Sequence, residues 1–337
     1  MARRTTMEDV AAVAGVSKAT VSMVLHNDPR ITPATAAKVR AALAELNYVP
    51  EPTLSRIAAH RWDVTKAHSV STLAYLSARN KAGAPSERFR GAQSQAAKLG
   101  YAIEEHLQVD YPNPLTLQRV LNARGVAGIV VGRIYEQAPA FVKAFDWSHF
   151  PVVACGMGYM EPPFHTIIPN FHQAITTSMN QMREQGCARI GLILPLFKDH
   201  DFQLSVHDGY KFSAYYYETS LYPESERIPP LLLRYEDYGN SVSDWCIKHR
   251  PQGVILPVSH PFSTILRSLP PEVQPRIVHS VAASSAHPET PGWELPHFQM
   301  GAMAVRTLHT MIITHELGVP AKKTIFMVSM DWRESTR

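Results

Sequence analysis

Cysteine is scarce in this chain, with three in 337 residues, at positions 155, 187 and 246. An odd number placed so far apart excludes a disulfide framework. Each sits beside apolar or helical sequence, so free thiols, buried or half-buried in a reducing cytoplasm, are expected. No run of 18 apolar residues occurs, and no helical membrane span is expected. The opening MARRTTMEDVAAVAGV has two arginines but neither an apolar run nor a cleavage site, so export is not expected. Sixteen histidines invite a metal site, yet no HxH, HxxxH or HExxH spacing is present, and His200, Asp201 and His207 would make a poor cluster. There is no GxSxG elbow and no paired Cys–His signature for nucleophilic catalysis. Neither a GxGxxG nor a P-loop follows any strand candidate, so nucleotide binding has no support. No catalytic residue, metal or cofactor is assigned, and an enzyme is not expected.

What the chain has is apolar content, 45%, enough for more than one core at this length. Its charge is unevenly spread. Residues 1–61 hold eight Lys/Arg (Arg3, Arg4, Lys18, Arg30, Lys38, Arg40, Arg56, Arg61) against five acids (Glu8, Asp9, Asp28, Glu45, Glu51), and the remainder is nearly neutral. A small basic head on a neutral body suggests a polyanion partner for the head.

That head predicts three short helices. Thr6 can cap the first, with Asp9 three positions on approximating a capping box, and Val10, Ala11 and Ala14 form its inner face. Gly15 ends it, and Ser17 caps the next after a very short turn. Thr32 and Pro33 supply a cap and a first-turn proline for the third, where Ala36, Val39, Leu43 and Leu46 make a core stripe. In the middle helix Val21, Val24 and Leu25 share an apolar face, while Lys18, Ala19, Ser22, Met23 and His26 lie opposite, with one firm charge among them. A solvated face would carry more charge. Helix, tight turn, helix is the arrangement whose second helix enters the DNA major groove. Small residues would let it approach closely, the hydroxyls of Ser17, Thr20 and Ser22 would bond phosphates, and Lys18, Ala19 and Met23 would face base edges.

The stretch TTMEDVAAVAGVSKATVSMVLHNDPRITPATAAKVRAALAELNYVP resembles the headpiece of the LacI/GalR family of bacterial transcription regulators. The resemblance implies phosphate contacts from Thr6, Ser17, Thr20, Ser22, His26, Thr32 and Thr35, and base-reading positions at Lys18, Ala19, Met23 and Arg30. Met23 stands where many members carry arginine or another polar reader, so their operator sequences do not transfer. In YVPEPTLSRIAAHRWD the prolines end the third helix, and Thr53 to Ala59 could form two helical turns, too few to be stable alone. The family places a hinge helix here. Ile57 takes the position of its minor-groove wedge, and Leu54 replaces a usual alanine.

The body alternates continuous apolar runs (STLAYL, VAGIVVG, PVVACG, RIGLIL, GVILPV, RIVHSV) with helical stretches near 86–99, 114–124, 171–186, 205–218 and 241–249. That pattern predicts parallel sheets covered on both faces. It also resembles the family's regulatory part, two periplasmic-binding-protein-like α/β lobes with a ligand cleft between them. The expected fold class is therefore α/β, a three-helix helix-turn-helix headpiece with a hinge helix before a two-lobed domain. The expected boundaries are 1–50 for the headpiece, 51–68 for hinge and linker, and 69–337 for the effector-binding and dimerisation domain. Within it, lobe 1 spans about 69–168 and 296–318, and lobe 2 about 170–292 and 322–337. Where relatives commonly carry Asp, Arg and Asp for a sugar, this chain has Asn170, Val206 and Ser259, which makes an ordinary pentose or hexose a poorer match. Ligands of open α/β sheets bind beyond strand C-termini, so Arg79, Phe197, His207, Ser259 and a ring-stacking Trp293 are the effector-site candidates. The expected partners are double-stranded operator DNA, a second copy of the chain in a homodimer, and a small-molecule effector. The expected location is the bacterial cytoplasm, on the nucleoid when DNA is bound.

Overall fold

The computed structural model describes residues 6–25, 31–46, 71–77, 84–132, 144–156, 162–196, 206–234 and 238–336. The chain divides into two units, Met1–Ser69 and Val70–Arg337.

In the first unit, α1 spans Met7–Ala14, α2 Lys18–Leu25 and α3 Pro33–Glu45. The capping box forms as expected: the Asp9 backbone N–H donates to Thr6 Oγ1 at 3.3 Å, and the Thr6 N–H donates to Asp9 Oδ2 at 2.7 Å. Gly15 closes α1 at φ +64°, a left-handed conformation that side chains disfavour. The Val16 N–H then returns to the Ala11 carbonyl at 3.0 Å, and α2 starts two residues later. Val10, Ala11, Val21, Val24, Val39 and Ala42 make the buried core, with Ala14, Ala36, Leu43 and Leu46 packed around it. Each fully buried valine contributes roughly 2 kcal/mol, which makes this a small core.

The second unit holds two parallel-stranded lobes. Lobe 1 contains β1 (Thr72–Ser77), α4 (Glu87–Lys98), β2 (Ala102–Leu107), α5 (Pro114–Ala123), β3 (Gly128–Val131), β4 (Val152–Cys155) and β5 (His165–Pro169). Lobe 2 continues with α6 (Phe171–Glu184), β6 (Ile190–Leu196), α7 (Val206–Ser220), β7 (Leu231–Arg234), α8 (Tyr238–His249), β8 (Gly253–Leu256), α9 (Phe262–Arg267), β9 (Ile277–Ser280) and β10 (Gly292–Glu294). Then α10 (His297–Thr314) and β11 (Ile325–Val328) return to lobe 1, and β12 (Asp331–Arg333) closes lobe 2. The strand orders are β2-β1-β3-β4-β5-β11 and β7-β6-β8-β9-β10-β12, so the lobes share one winding. All neighbours are parallel except β12 against β10.

Alternate residues of the central strands feed opposite layers, which is why those strands are apolar throughout. In lobe 1, Leu76, Ile129 and Val152 face one layer with Leu117 and Trp147, while Leu73, Val130 and Val153 face the other with Phe89 and Leu308. Lobe 2 repeats this with Leu192 and Ile255 on one side, and Ile193 and Val254 on the other.

One expected boundary moves. Residues 322–337 do not all belong to lobe 2, because β11 pairs with β5 in register Ile325↔Thr166 through Val328↔Pro169. The third crossing between lobes falls between Val328 and Asp331, where Asn170 N–H donates to the Val328 carbonyl at 2.8 Å and ties it to the first crossing. All three cysteines are unpaired and buried, and burial pushes the Cys155 and Cys246 thiols up to about 12. Among the described residues no helix is long and apolar enough to cross a membrane.

Candidate nucleic-acid interface and interlobe site

In the headpiece, the core residues Val21 and Val24 turn the other side of α2 outward. Lys18 and Ala19 are exposed, and Ser22 and Met23 are half-buried beside them. Ser17 Oγ accepts the Thr20 backbone N–H at 3.1 Å and so caps α2, and the two hydroxyls lie 2.9 Å apart. Thr32 caps α3 in the same way through Thr35, with hydroxyls 2.9 Å apart. The Thr6 hydroxyl donates to Asp9 Oδ2 at 2.7 Å. Five of the expected phosphate contacts, Thr6, Ser17, Thr20, Thr32 and Thr35, are thus small hydroxyls at helix starts, already shaped by local bonds. Lys18 has a partner that its own helix does not reveal: its Nζ is 2.9 Å from Glu8 Oε1 on α1, and both side chains are exposed. His26, Arg30, Leu54 and Ile57 lie outside the described residues.

In the second unit the matching windings bring four helix starts together. α4 follows β1 and α7 follows β6, the equivalent strands of the two sheets. α6 and α10 are the helices that open after the first and second crossings. Arg88 is the second residue of α4, and its Nε donates to Nδ1 of His297, the first residue of α10, at 3.0 Å. Because Nδ1 accepts, the neutral ring carries its proton on Nε2. A Cβ at Gly156 would lie 2.8 Å from the Arg88 guanidinium carbon, so the bare backbone after β4 gives that group its seat.

Lobe 2 presents the counterpart. His207 is the second residue of α7, and its ring centroid is 5.3 Å from that of Phe171, the first residue of α6. Lys211, one turn on, pairs with Asp208 at 2.9 Å, both buried, and its ammonium lies 4.4 Å from the Phe171 ring centroid. Burial, then the positive charges of Lys211 and Arg88, push His207 down to about 4, against an opposing pull from Asp208. Burial and the adjacent Arg88 hold His297 at about 4 as well. Both rings are neutral at pH 7. His207 Nε2 and the buried Ser259 Oγ have no hydrogen-bond partner among the described residues.

Of the expected effector contacts, His207 stands at this junction, and Ser259 follows β8 at the C-terminal edge of the second sheet. Arg79 and Phe197 lie outside the described residues. Trp293 is a correction. Its indole is buried in the lobe 2 core, donates to Ser178 Oγ at 2.8 Å and packs edge-on against Trp332, so it is structural rather than a stacking platform. Asn170 caps α6 by accepting the Gln173 N–H at 3.1 Å. Sequence reasoning missed Arg88, His297 and Lys211. The rule that located the other candidates, loops beyond strand C-termini, needed extending by one helical turn to find them.

Residues 6–51 match the family described as bacterial regulatory proteins, lacI family. Over 98 residues the chain is 35% identical to the ribose operon repressor of Escherichia coli (strain K12), a match spanning 29% of this chain and only 27% of that repressor. Over 253 residues it is 28% identical to the HTH-type transcriptional regulator MalR of Streptococcus pneumoniae, covering 73% of each. Its fold is similar to that of the Lac repressor dimer bound to operator and the anti-inducer ONPF, with a TM-score of 0.54 at 18% identity over 98% of each chain.

Proposed function

We propose, from the match of residues 6–51 to the lacI family of bacterial regulatory proteins, that the whole chain is a sequence-specific DNA-binding transcriptional regulator, a repressor. It binds a pseudo-palindromic operator as a homodimer in the bacterial cytoplasm. The observation that carries this reading is the outward side of α2, where exposed Lys18 and Ala19 stand beside the capping hydroxyls of Ser17 and Thr20 on a compact three-helix core. Lys18 reads guanine acceptors, Ala19 and Met23 meet thymine methyls, and Thr6, Ser17, Thr20, Ser22, Thr32 and Thr35 position the head on phosphates. A two-fold dimer presents two such helices, which is why the site is a pseudo-palindrome.

The two lobes supply the control. An effector held between them, in contact with His207 and the Ser259 edge, shifts one lobe against the other and changes operator affinity by linkage. The match to a regulator over 73% of the chain supports a common role for head and body.

The test is selection of random duplexes on the purified protein, followed by binding of the selected site across a salt series. A pseudo-palindrome whose affinity falls steeply with salt is the expected result. If no sequence is enriched, with or without a metabolite pool, the head is not an operator reader and the proposal fails.

A further inference from the structure

The interlobe junction has more hydrogen-bond donors and positive charge than it can use internally. The charges that act on His207 are Lys211, Asp208 and Arg88, and Asp208 already holds Lys211 at 2.9 Å. Arg88 donates its Nε to a neutral imidazole rather than to a carboxylate. That leaves the outer fork of its guanidinium, the geometry that grips carboxylates and phosphates in two parallel bonds. The same hydrogen bond places His297 Nε2–H as a second donor. In lobe 2, His207 Nε2 and, beyond β8, the hydroxyls of Ser259 and Ser263, the latter two almost fully buried, have no partner among the described residues. Residues 88, 297, 207 and 171 are the first or second residues of α4, α10, α7 and α6, so the positive ends of four helix dipoles meet there. Helix ends alone make no site, but here a guanidinium that no described carboxylate pairs with acts across the junction on His207, whose Nε2 has no partner among the described residues.

We infer that the effector of this protein carries an anionic oxygen group, a carboxylate or a phosphate, gripped by Arg88 and His297 from lobe 1 and met by His207 from lobe 2. This rests on the interlobe effector reading above and names its ligand class. A site with an arginine and two histidines at helix starts is built for an anion more than for a neutral polyol.

Thermal unfolding and calorimetric titration of the full-length protein decide this, with inorganic phosphate, glucose 6-phosphate, gluconate and glucose as probes. The anionic probes are expected to bind at least about tenfold more tightly than glucose, and Arg88→Met to abolish that preference. Binding of phosphate but not gluconate, or the reverse, identifies which anion the site takes. Arg88→Lys, which keeps the charge but not the fork, is expected to retain an intermediate preference, and it serves if the methionine variant fails to fold. Equal binding of glucose and the anions, no binding of any anion, or an anion preference that survives in both variants would overturn the inference. Operator binding of unliganded Arg88→Met is measured alongside. If the anion preference holds while no operator is bound, the regulator reading has failed and the anion site has not.

Discussion

Lys18 is the one firm cation on the outward side of α2, and in the free protein it is held by Glu8 across the α1–α2 turn at 2.9 Å. With both side chains exposed, the pair adds well under 1 kcal/mol to the head's stability. Its effect on DNA should be larger, because a carboxylate beside the phosphate backbone cancels the lysine's attraction. Glu8→Gln is therefore expected to leave the melting temperature of the head unchanged. It should tighten operator binding several-fold at low salt and steepen the dependence of log affinity on log salt by about one. If Glu8→Gln instead weakens binding to the selected site, the carboxylate itself accepts from a base such as cytosine, and the pair reads sequence together. Lys18 was legible from its helical position alone, since a face is a local property. Glu8 was not, because an acid in the first turn of a helix has a sufficient local explanation in the dipole, and nothing in the spacing of residues 8 and 18 announces an ion pair. Trp293 failed for the converse reason. An aromatic near a strand end can face a ligand or the core, and only the Ser178 and Trp332 contacts distinguish the two.

Among the elements, the crossing of α4 and α10 decides where Arg88 and His297 stand. The helices approach until backbone meets backbone. A Cβ on Gly91 would lie 1.9 Å from the Phe298 carbonyl oxygen, and one on Gly301 would lie 1.8 Å from the carbonyl oxygen of Arg88 itself. Alanine ordinarily gains about 1 kcal/mol over glycine inside a helix. Here Gly91→Ala and Gly301→Ala are each expected to destabilise by about 2–3 kcal/mol through overpacking, lowering the melting temperature by roughly 5–10 °C in circular-dichroism melts. Gly301→Ala should also weaken anion binding, since it displaces the first turn of α4. A rise in melting temperature for either would refute the close crossing. The continuous apolar strands β1, β3, β4, β6 and β8 were legible because strands buried on both faces have no polar register to confuse with a loop. The edge strand β2, half-exposed along its length, and β11, exposed on alternate residues, lack that signature. Missing β11 is what misplaced the boundary at 322. Chain crossings between lobes carry no periodic pattern, and here they are set by which sheet edge a four-residue strand can join.

At the scale of the whole second unit, neutral histidines shut in by the fold make stability a function of pH. His207, His297 and His279 are all held down at about 4, chiefly by burial, whereas an unfolded histidine titrates near about 6.5. Above about pH 6.5 neither state is protonated, and these residues contribute no pH dependence. As pH falls from there toward 4, the unfolded chain takes up protons that the folded one refuses, and the equilibrium moves toward unfolding. Each such group adds a slope of up to about 1.4 kcal/mol per pH unit, reduced for His207 and His297, which keep some solvent contact. Calorimetry of the full-length protein should therefore show the larger unit melting at similar temperatures at pH 8 and 7, and progressively lower ones at pH 6 and 5. Replacing the core histidine, His279→Phe, should flatten that decline by one group's share. His207→Gln should do so too, and should also diminish the effect of an anionic ligand on the melt. The two variants separate fold from site: His279 faces Trp332 in the core at 4.6 Å between centroids, whereas His207 stands at the junction. Identical responses of the two variants to ligand would place His207 with the core and remove lobe 2 from anion recognition. A flat profile between pH 7 and 5 would mean that water reaches these rings in the folded protein, and that the junction is wetter than its packing implies.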